Sequence, residues 1–465
     1  MSGPLPHSPM IAPSAWERFR DRVDLIGRTQ PARLAVGVFS LVIGVVTLLL
    51  SLPLATVTGE RAPFVEALFT ATSAVCVTGL TTVDTGTYWS FFGQVVILVA
   101  IKVGGLGVIT IAALLGLMVS RRLGLTGRLL AQQETKTDRL GEVGALLRFV
   151  IVLSTSCEAV LALVLIPRFL THEEGVGQAT WHAVFYAVSS FNSAGFTSHA
   201  GGLPAYAIGD WWLCMPLALG VFVGGLGFPV LVTLGRQWRR PQRWNLHAKL
   251  TLTATFTLLV ISLLVFGLFE WANPRTLGPL GTGDKILSTI FMSVMPRSGG
   301  FATISPIDLH QHTWLATDVL MFVGGGSAST AGGIKVTTVA VLVLATIAEA
   351  KGDADASAFG RRIPAGTMRL AISVLAAGMA LVVVGSMLLL AITDYTLDMV
   401  LFEVISAFAT CGLSLGITPG LPTAGKLVLI FLMFTGRLGT MTLAAALAMR
   451  ERQRQIRFPE ESPII

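Results

Sequence analysis

Long apolar runs alternate with shorter ones along most of this chain. The long runs occupy 34–55, 91–119, 147–169, 211–234, 250–271, 314–349, 369–392 and 425–448. Each reaches the roughly 20 mostly apolar residues that a helix needs to cross a bilayer. The pattern predicts about eight spanning helices, with 314–349 interrupted in its middle. Inside each consecutive pair sits a shorter segment, at 63–76, 180–191, 284–295 and 397–409. These are too short to span. They suit re-entrant half-helices, which membrane depth tolerates only when they are buried in protein or line a water cavity.

Every short segment runs into a glycine. The stretches are Ser73-Ala74-Val75-Cys76-Val77-Thr78-Gly79-Leu80, Ser190-Phe191-Asn192-Ser193-Ala194-Gly195-Phe196, Met295-Pro296-Arg297-Ser298-Gly299-Gly300-Phe301 and Ala407-Phe408-Ala409-Thr410-Cys411-Gly412-Leu413. The turn glycines are spaced 116, 105 and 112 residues apart. A second motif keeps their register. It reads Gly104-Gly105-Leu106-Gly107, Gly224-Gly225-Leu226-Gly227, Gly324-Gly325-Gly326-Ser327 and Gly436-Arg437-Leu438-Gly439. Its second positions follow the turn glycines by 26, 30, 25 and 25 residues. A lone glycine pair is ordinary helix packing, and a lone glycine after a helix is an ordinary C-cap. Four of each in one register predict an all-α integral membrane protein. Its four tandem helix–pore loop–helix repeats would surround a central pore with pseudo-fourfold symmetry.

The repeats are expected at 34–120, 147–235, 250–350 and 369–449, the third holding an intramembrane loop at 324–335. Connecting loops at 121–146, 236–249 and 351–368 and tails at 1–33 and 450–465 complete the chain. Only 13% of the 465 residues are charged, and the mean hydropathy is +0.73. Both values belong to polytopic membrane proteins. The net charge of +7 does not point to nucleic acid. Of 33 Lys and Arg, 24 lie in 1–33, 121–148, 236–249, 351–369 and 450–457. The alternate loops hold only Arg61, Arg168, Arg275, Lys285 and Lys426. Basic loops stay on the cytoplasmic side, so both termini are expected there.

Potassium or sodium must shed water to be selected, and rings of backbone carbonyls replace that water in channels. Glycine lets such a loop aim successive carbonyls inward at φ > 0 without a Cβ clash. Half-helices ending at the turns present electronegative carbonyl ends, which favour a cation. None of the turns carries an acid, so a carboxylate ring for divalent cations is not written here.

Cys76, Cys157, Cys214 and Cys411 have no metal-ligand or disulfide spacing. The first 32 residues show no signal-peptide core. His182, His310 and His312 form no HExxH or His–carboxylate cluster, no Walker A pattern exists, and no nucleophile–base constellation suggests an enzyme. Gly104–Gly107 lies inside an apolar helix with no strand before it, unlike a dinucleotide loop.

These residues resemble the Trk/Ktr/HKT superfamily of potassium transporters, most closely the membrane subunit of bacterial Ktr systems. The carrying stretches are Thr70–Leu80, Phe402-Glu403-Val404-Ile405-Ser406-Ala407-Phe408, Ser329-Thr330-Ala331-Gly332-Gly333-Ile334-Lys335 and Phe434-Thr435-Gly436-Arg437-Leu438-Gly439. Trk-type relatives have two additional helices before the first span, where this sequence has a polar tail. The resemblance implies a filter at Val77, Thr78, Gly79, Ser193, Ala194, Gly195, Ser298, Gly299, Gly300, Thr410, Cys411 and Gly412. Backbone carbonyls would bind potassium there, with sodium as the other ion to consider. In plant relatives a serine in the first turn goes with sodium, so Gly79 argues for potassium.

The resemblance further implies a homodimer in the bacterial inner membrane, each protomer with its own pore. A cytosolic nucleotide-binding ring would regulate it, with the basic loops as docking surfaces and lipid around the spans. No covalently bound cofactor is implied. A gating loop would lie beneath the filter. Its residues are Gly324, Gly325, Gly326, Ser327, Ser329, Thr330, Gly332, Gly333 and Lys335, the last placed to reach the cytoplasmic mouth. Glycine in a helix interior costs about 1 kcal/mol relative to alanine, so this stretch holds a helix poorly.

Arg437 replaces a repeated glycine only in the fourth unit. An intramembrane charge usually has a function or a partner. It is expected to form an electrostatic barrier and to hydrogen-bond the loop carbonyls. Arg297 is expected to pair with Glu66 or Glu403. The family commonly has an uncharged residue at the position of Lys102, whose role stays open, and Glu158 reads as a packed acid. A cation-coupled secondary transporter is the competing reading. Inverted repeats are frequent in that class, whereas all four units here run in one orientation.

Overall fold

The computed structural model describes residues 31–122, 141–172 and 175–448. The first unit is α1 (Pro31–Leu50), the half-helix α2 (Phe64–Val75) and α3 (Phe91–Arg122). The second is α4 (Gly141–Leu170), α5 (Val176–Phe191), α6 (Trp211–Leu226) and α7 (Phe228–Gln237). The third is α8 (Leu246–Glu270), α9 (Thr282–Val294), α10 (Gln311–Phe322) and α11 (Val336–Lys351). The fourth is α12 (Ala365–Ile392), α13 (Leu397–Ala409) and α14 (Thr423–Ala448). Residues 1–30, 123–140 and 449–465, which hold most of both tails and of the first connecting loop, lie outside the described residues.

The half-helices α2, α5, α9 and α13 fall where the short apolar segments predict them, and each is buried through its C-terminal part. Large apolar side chains on the outer helices face outward instead. Leu41, Leu163 and Leu268 are each about two-thirds or more exposed, which suits a lipid surface. Among the described residues, Arg148–Leu170, Leu246–Glu270 and Ala365–Ile392 are each long and apolar enough to cross a membrane. Among the described residues, two large clusters make up most of the core. One cluster joins the first and fourth units and includes Phe69, Phe402 and Phe408. The other joins the second and third and includes Phe191, Phe291 and Phe301.

The run 314–349 is broken, as its pattern predicts, between α10 and α11. The run 211–234 is also broken, and there the expectation of one continuous span fails. Helices α6 and α7 meet at Gly227 with a bend of 98°. Gly227 has φ 91° and ψ 144°, a backbone that only glycine takes at low cost. The Phe228 N–H donates to the Ala328 carbonyl at 3.1 Å. A side chain on Gly227 would press on the Ser327 carbonyl at 2.5 Å. The loop of unit three therefore occupies the place of a straight helix in unit two.

One small hairpin stands outside this plan. β1 (Ser357–Ala358) pairs antiparallel with β2 (Arg361–Arg362), with Ser357 opposite Arg362. Phe359 and Gly360 between them both have positive φ, as a tight hairpin turn demands.

Candidate functional site

The four turns share a backbone signature. Val77 and Gly79, Ser193 and Gly195, Ser298 and Gly300, and Thr410 and Gly412 all have positive φ, between 47° and 93°. The residue two places before each glycine thus takes a conformation that side chains rarely adopt. Hydrogen bonds hold it there. The N–H groups of Thr78, Ala194 and Cys411 donate to the carbonyls of Ser73, Ser189 and Ser406 at 2.7, 2.7 and 2.9 Å. Ser73 and Ser406 also accept from Gly79 N and Gly412 N through their hydroxyls, both at 3.1 Å. The third turn differs, since Gly299 N donates to Met295 O at 2.8 Å.

These turns come from distant parts of the chain and meet in a closed ring. A Cβ on Gly79 would strike the Ala194 carbonyl oxygen. One on Gly195 would lie 3.1 Å from the Gly299 oxygen, and one on Gly300 would lie 2.8 Å from the Cys411 oxygen. One on Gly412 would strike the Thr78 oxygen. Each glycine therefore abuts the carbonyl that precedes the next glycine around the ring. No side chain fits between them. On one side of the ring lies a cavity of about 550 Å³, lined by the four glycines and by Asp84, Thr197 and Ser414 among others.

The inner helices press against the ring from behind. Gly104, Gly224 and Gly436 each face a half-helix carbonyl, that of Val75, Phe191 and Phe408 respectively. Each of these carbonyls lies four residues before its turn glycine. The neighbouring Gly225 has open space where a Cβ would sit. Gly224→Ala is therefore expected to lower transport strongly and Gly225→Ala to leave it near wild type, measured as cation uptake by cells carrying equal amounts of each variant. In unit three the pattern is lost, since Gly324 faces the Gly332 carbonyl inside the loop.

That loop closes the other side of the ring. Ser193 Oγ lies 3.1 Å from Thr330 Oγ1, and the Thr330 hydroxyl donates to Phe191 O at 3.1 Å. Ser298 Oγ donates to Thr410 O at 2.7 Å and accepts from Gly332 N at 3.2 Å. Gly326 N and Thr330 N donate to the Gly225 and Gly224 carbonyls at 2.8 and 3.3 Å. Gly324 N donates to Ile334 O and Val336 N to Gly325 O, which pins both ends of the loop. Ser327 Oγ reaches Thr337 Oγ1 at 3.1 Å. Ser329 and Gly333 are buried within it. Lys335 folds back on the loop, its Nζ donating to Ala331 O at 2.7 Å. Arg437 is 2% exposed, and its Nη1 donates to Thr330 O at 2.5 Å.

The expected pairing of Arg297 is overturned. Its guanidinium donates to the Thr255 carbonyl at 3.2 Å and to the Thr255 hydroxyl at 3.3 Å. Glu66 instead pairs with Lys426 at 2.6 Å, across the contact of α2 with α14. Glu403 accepts from the Ser414 hydroxyl, at 2.9 and 3.0 Å, and from Thr418. Both acids thus brace the segments that follow the fourth turn, where their nearest donors happen to fold. Sequence reasoning also missed the contact of Lys102 with Glu158, whose charged atoms are 2.7 Å apart. Two opposite charges in successive apolar helices were the available clue.

The family described as TrkH, cation transport protein, matches residues 28–456.

This chain belongs to the TrkH family.

Its similarity to curated relatives runs nearly end to end. It is 38% identical to the Ktr system potassium uptake protein B of Bacillus subtilis, over 93% of this chain and 96% of that one. It is 35% identical to the potassium/sodium uptake protein NtpJ of Enterococcus hirae, over 94% and 97%. The crystal structure of the potassium transporter TrkH from Vibrio parahaemolyticus shares the fold, with a TM-score of 0.72 at 18% identity over 89% of this chain and 84% of that one. This TrkH-family chain is accordingly an all-α membrane protein of the cation transport class.

Proposed function

We propose that the chain carries potassium into a bacterial cell, through the ring of turns as a carbonyl-lined filter. The observation that carries this reading is the cyclic contact of each turn glycine with the carbonyl before the next one. A ring of that build offers neutral oxygens from four directions and excludes side chains, which is what selection of a bare monovalent cation requires. The filter residues are Val77, Thr78, Gly79, Ser193, Ala194, Gly195, Ser298, Gly299, Gly300, Thr410, Cys411 and Gly412. The Bacillus relative, a potassium uptake protein, and the Enterococcus relative, a potassium/sodium uptake protein, support the choice of ion.

The loop 324–335 is the gate in this reading, and Arg437 is its latch. The basic loops 236–249 and 351–368 face the cytoplasm with both termini, and a cytosolic regulatory subunit docks there to move the gate. The chain works as a homodimer with one pore per protomer. The name of the Enterococcus relative includes sodium, which favours, as a second reading, a protein that moves sodium with potassium.

Growth of a potassium-uptake-deficient bacterium at low potassium tests the proposal. Expression of this chain with its cognate cytosolic subunit is expected to restore growth. Failure to restore it, with the protein present in the membrane, would remove the potassium assignment. Dependence of the restored growth on sodium would select the coupled reading.

A further inference from the structure

Among the described residues, the second filter turn is tied to a charged pair, and the other three are not. Asn192 immediately precedes Ser193, and its side-chain Nδ2 donates to Glu158 Oε1 at 2.7 Å and to Val188 O at 2.9 Å. Glu158 lies on α4 and is 6% exposed. Its Oε2 accepts from Lys102 Nζ on α3 at 2.7 Å. Ser154 sits between them, accepting from Lys102 Nζ at 2.7 Å and donating to Glu158 Oε1 at 3.1 Å. Both carboxylate oxygens are therefore engaged. The other face of the Asn192 carboxamide lies against Gly105, where a Cβ would collide with its Oδ1.

The corresponding positions in the other turns are Cys76, Arg297 and Ala409. Cys76 is a buried free thiol and Ala409 has no polar group. Among the described residues, the guanidinium of Arg297 donates to Thr255 alone. A buried ion pair is a poor device for stability, since withdrawing both charges from water costs much of what their attraction returns. Charges within spanning helices are rarer still without a role. Here the pair does one geometric thing. It fixes the Asn192 carboxamide from two helices, α3 of the first unit and α4 of the second. Asn192 in turn fixes the start of the strained backbone at Ser193.

We propose that Lys102, Glu158 and Asn192 form a positioning network that sets how well the second filter turn discriminates potassium from sodium. The proposal rests on the filter reading above. Glu158 is the acceptor that orients Asn192, and Lys102 holds the Glu158 side chain in that place. Carbonyls that drift inward when the brace is lost accommodate the smaller ion better, so sodium gains on potassium.

Two double variants separate this role from plain stability. K102M/E158L and K102M/E158Q both replace the pair by neutral side chains, which removes a buried charge rather than orphaning one. Only the glutamine keeps an acceptor for Asn192. Full-length chains, coexpressed with the cognate cytosolic subunit, are compared at equal membrane levels by rubidium uptake and its inhibition by sodium. K102M/E158L is expected to lose discrimination by about tenfold, the order of one hydrogen bond to a charged group. K102M/E158Q is expected to stay close to wild type. Equal discrimination by the two variants would overturn the network, as would a parallel fall of both ions with their ratio unchanged. A wild-type chain that takes up no rubidium would instead fail the filter reading itself.

Discussion

Gly79→Ser is expected to abolish growth at low potassium while the protein still reaches the membrane. Two effects add at this position. Gly79 has φ 91°, and a residue with a Cβ held there costs of order 1–3 kcal/mol. The new Cβ would also collide with the Ala194 carbonyl oxygen of the next turn. The ring relieves the collision only by turning that carbonyl away or by spreading. If the ring is the filter, either response removes an oxygen from the ion's path, so potassium uptake is expected to fall at least about tenfold, a loss of 1.4 kcal/mol or more. Uptake of sodium is expected to fall less, because the serine hydroxyl adds a ligand for the smaller ion. Growth like that of the wild type would refute the assignment of Gly79 to the filter. Gly225→Ala is the control, an inner-helix glycine with room for a side chain.

The second large effect is expected at Arg437. Its guanidinium lies behind the loop with one hydrogen bond, to Thr330 O, while its Nε and Nη2 find no partner among the described residues. A hydrogen bond from a charged group contributes about 1.5–3 kcal/mol. If the loop is the gate, Arg437→Ala removes that contact from it and removes a positive charge beside it. Both changes favour conduction. The variant is expected to take up rubidium without the cytosolic subunit, at about tenfold or more above wild type in the same condition. Arg437→Lys keeps the charge but not the planar fork of donors, and is expected to leak less. Uptake that depends on the subunit as strongly in Arg437→Ala as in wild type would remove the latch.

Much of this molecule is legible in its pattern of apolar and polar positions. The length of an apolar run is set by the thickness of the bilayer, so spans and half-helices can be read without knowing what packs on them. The half-helix α13 spans Leu397–Ala409, the very segment the pattern marks. The turn glycines are legible for a similar reason. A backbone at positive φ between crowded carbonyls admits only glycine, and repetition of that demand leaves a register in the sequence.

The partners of the charged side chains were not legible. Arg297 bonds Thr255, 42 residues away, and Lys426 bonds Glu66 across 360 residues. Sequence distance carries no information about such pairs, because they are settled by which helices pack together. The same holds for the bend at Gly227, where the deciding atoms are the Ser327 and Ala328 carbonyls of another unit. The sequence by itself determined the four units, their turns and the single arginine that breaks the repeat. Only the tertiary structure decided that the turns form a ring, that the third unit's loop lies across it, and that Asn192 hangs on a charged pair. Local demands of bilayer and backbone act on each residue where it stands, whereas a contact needs two surfaces that meet only after folding.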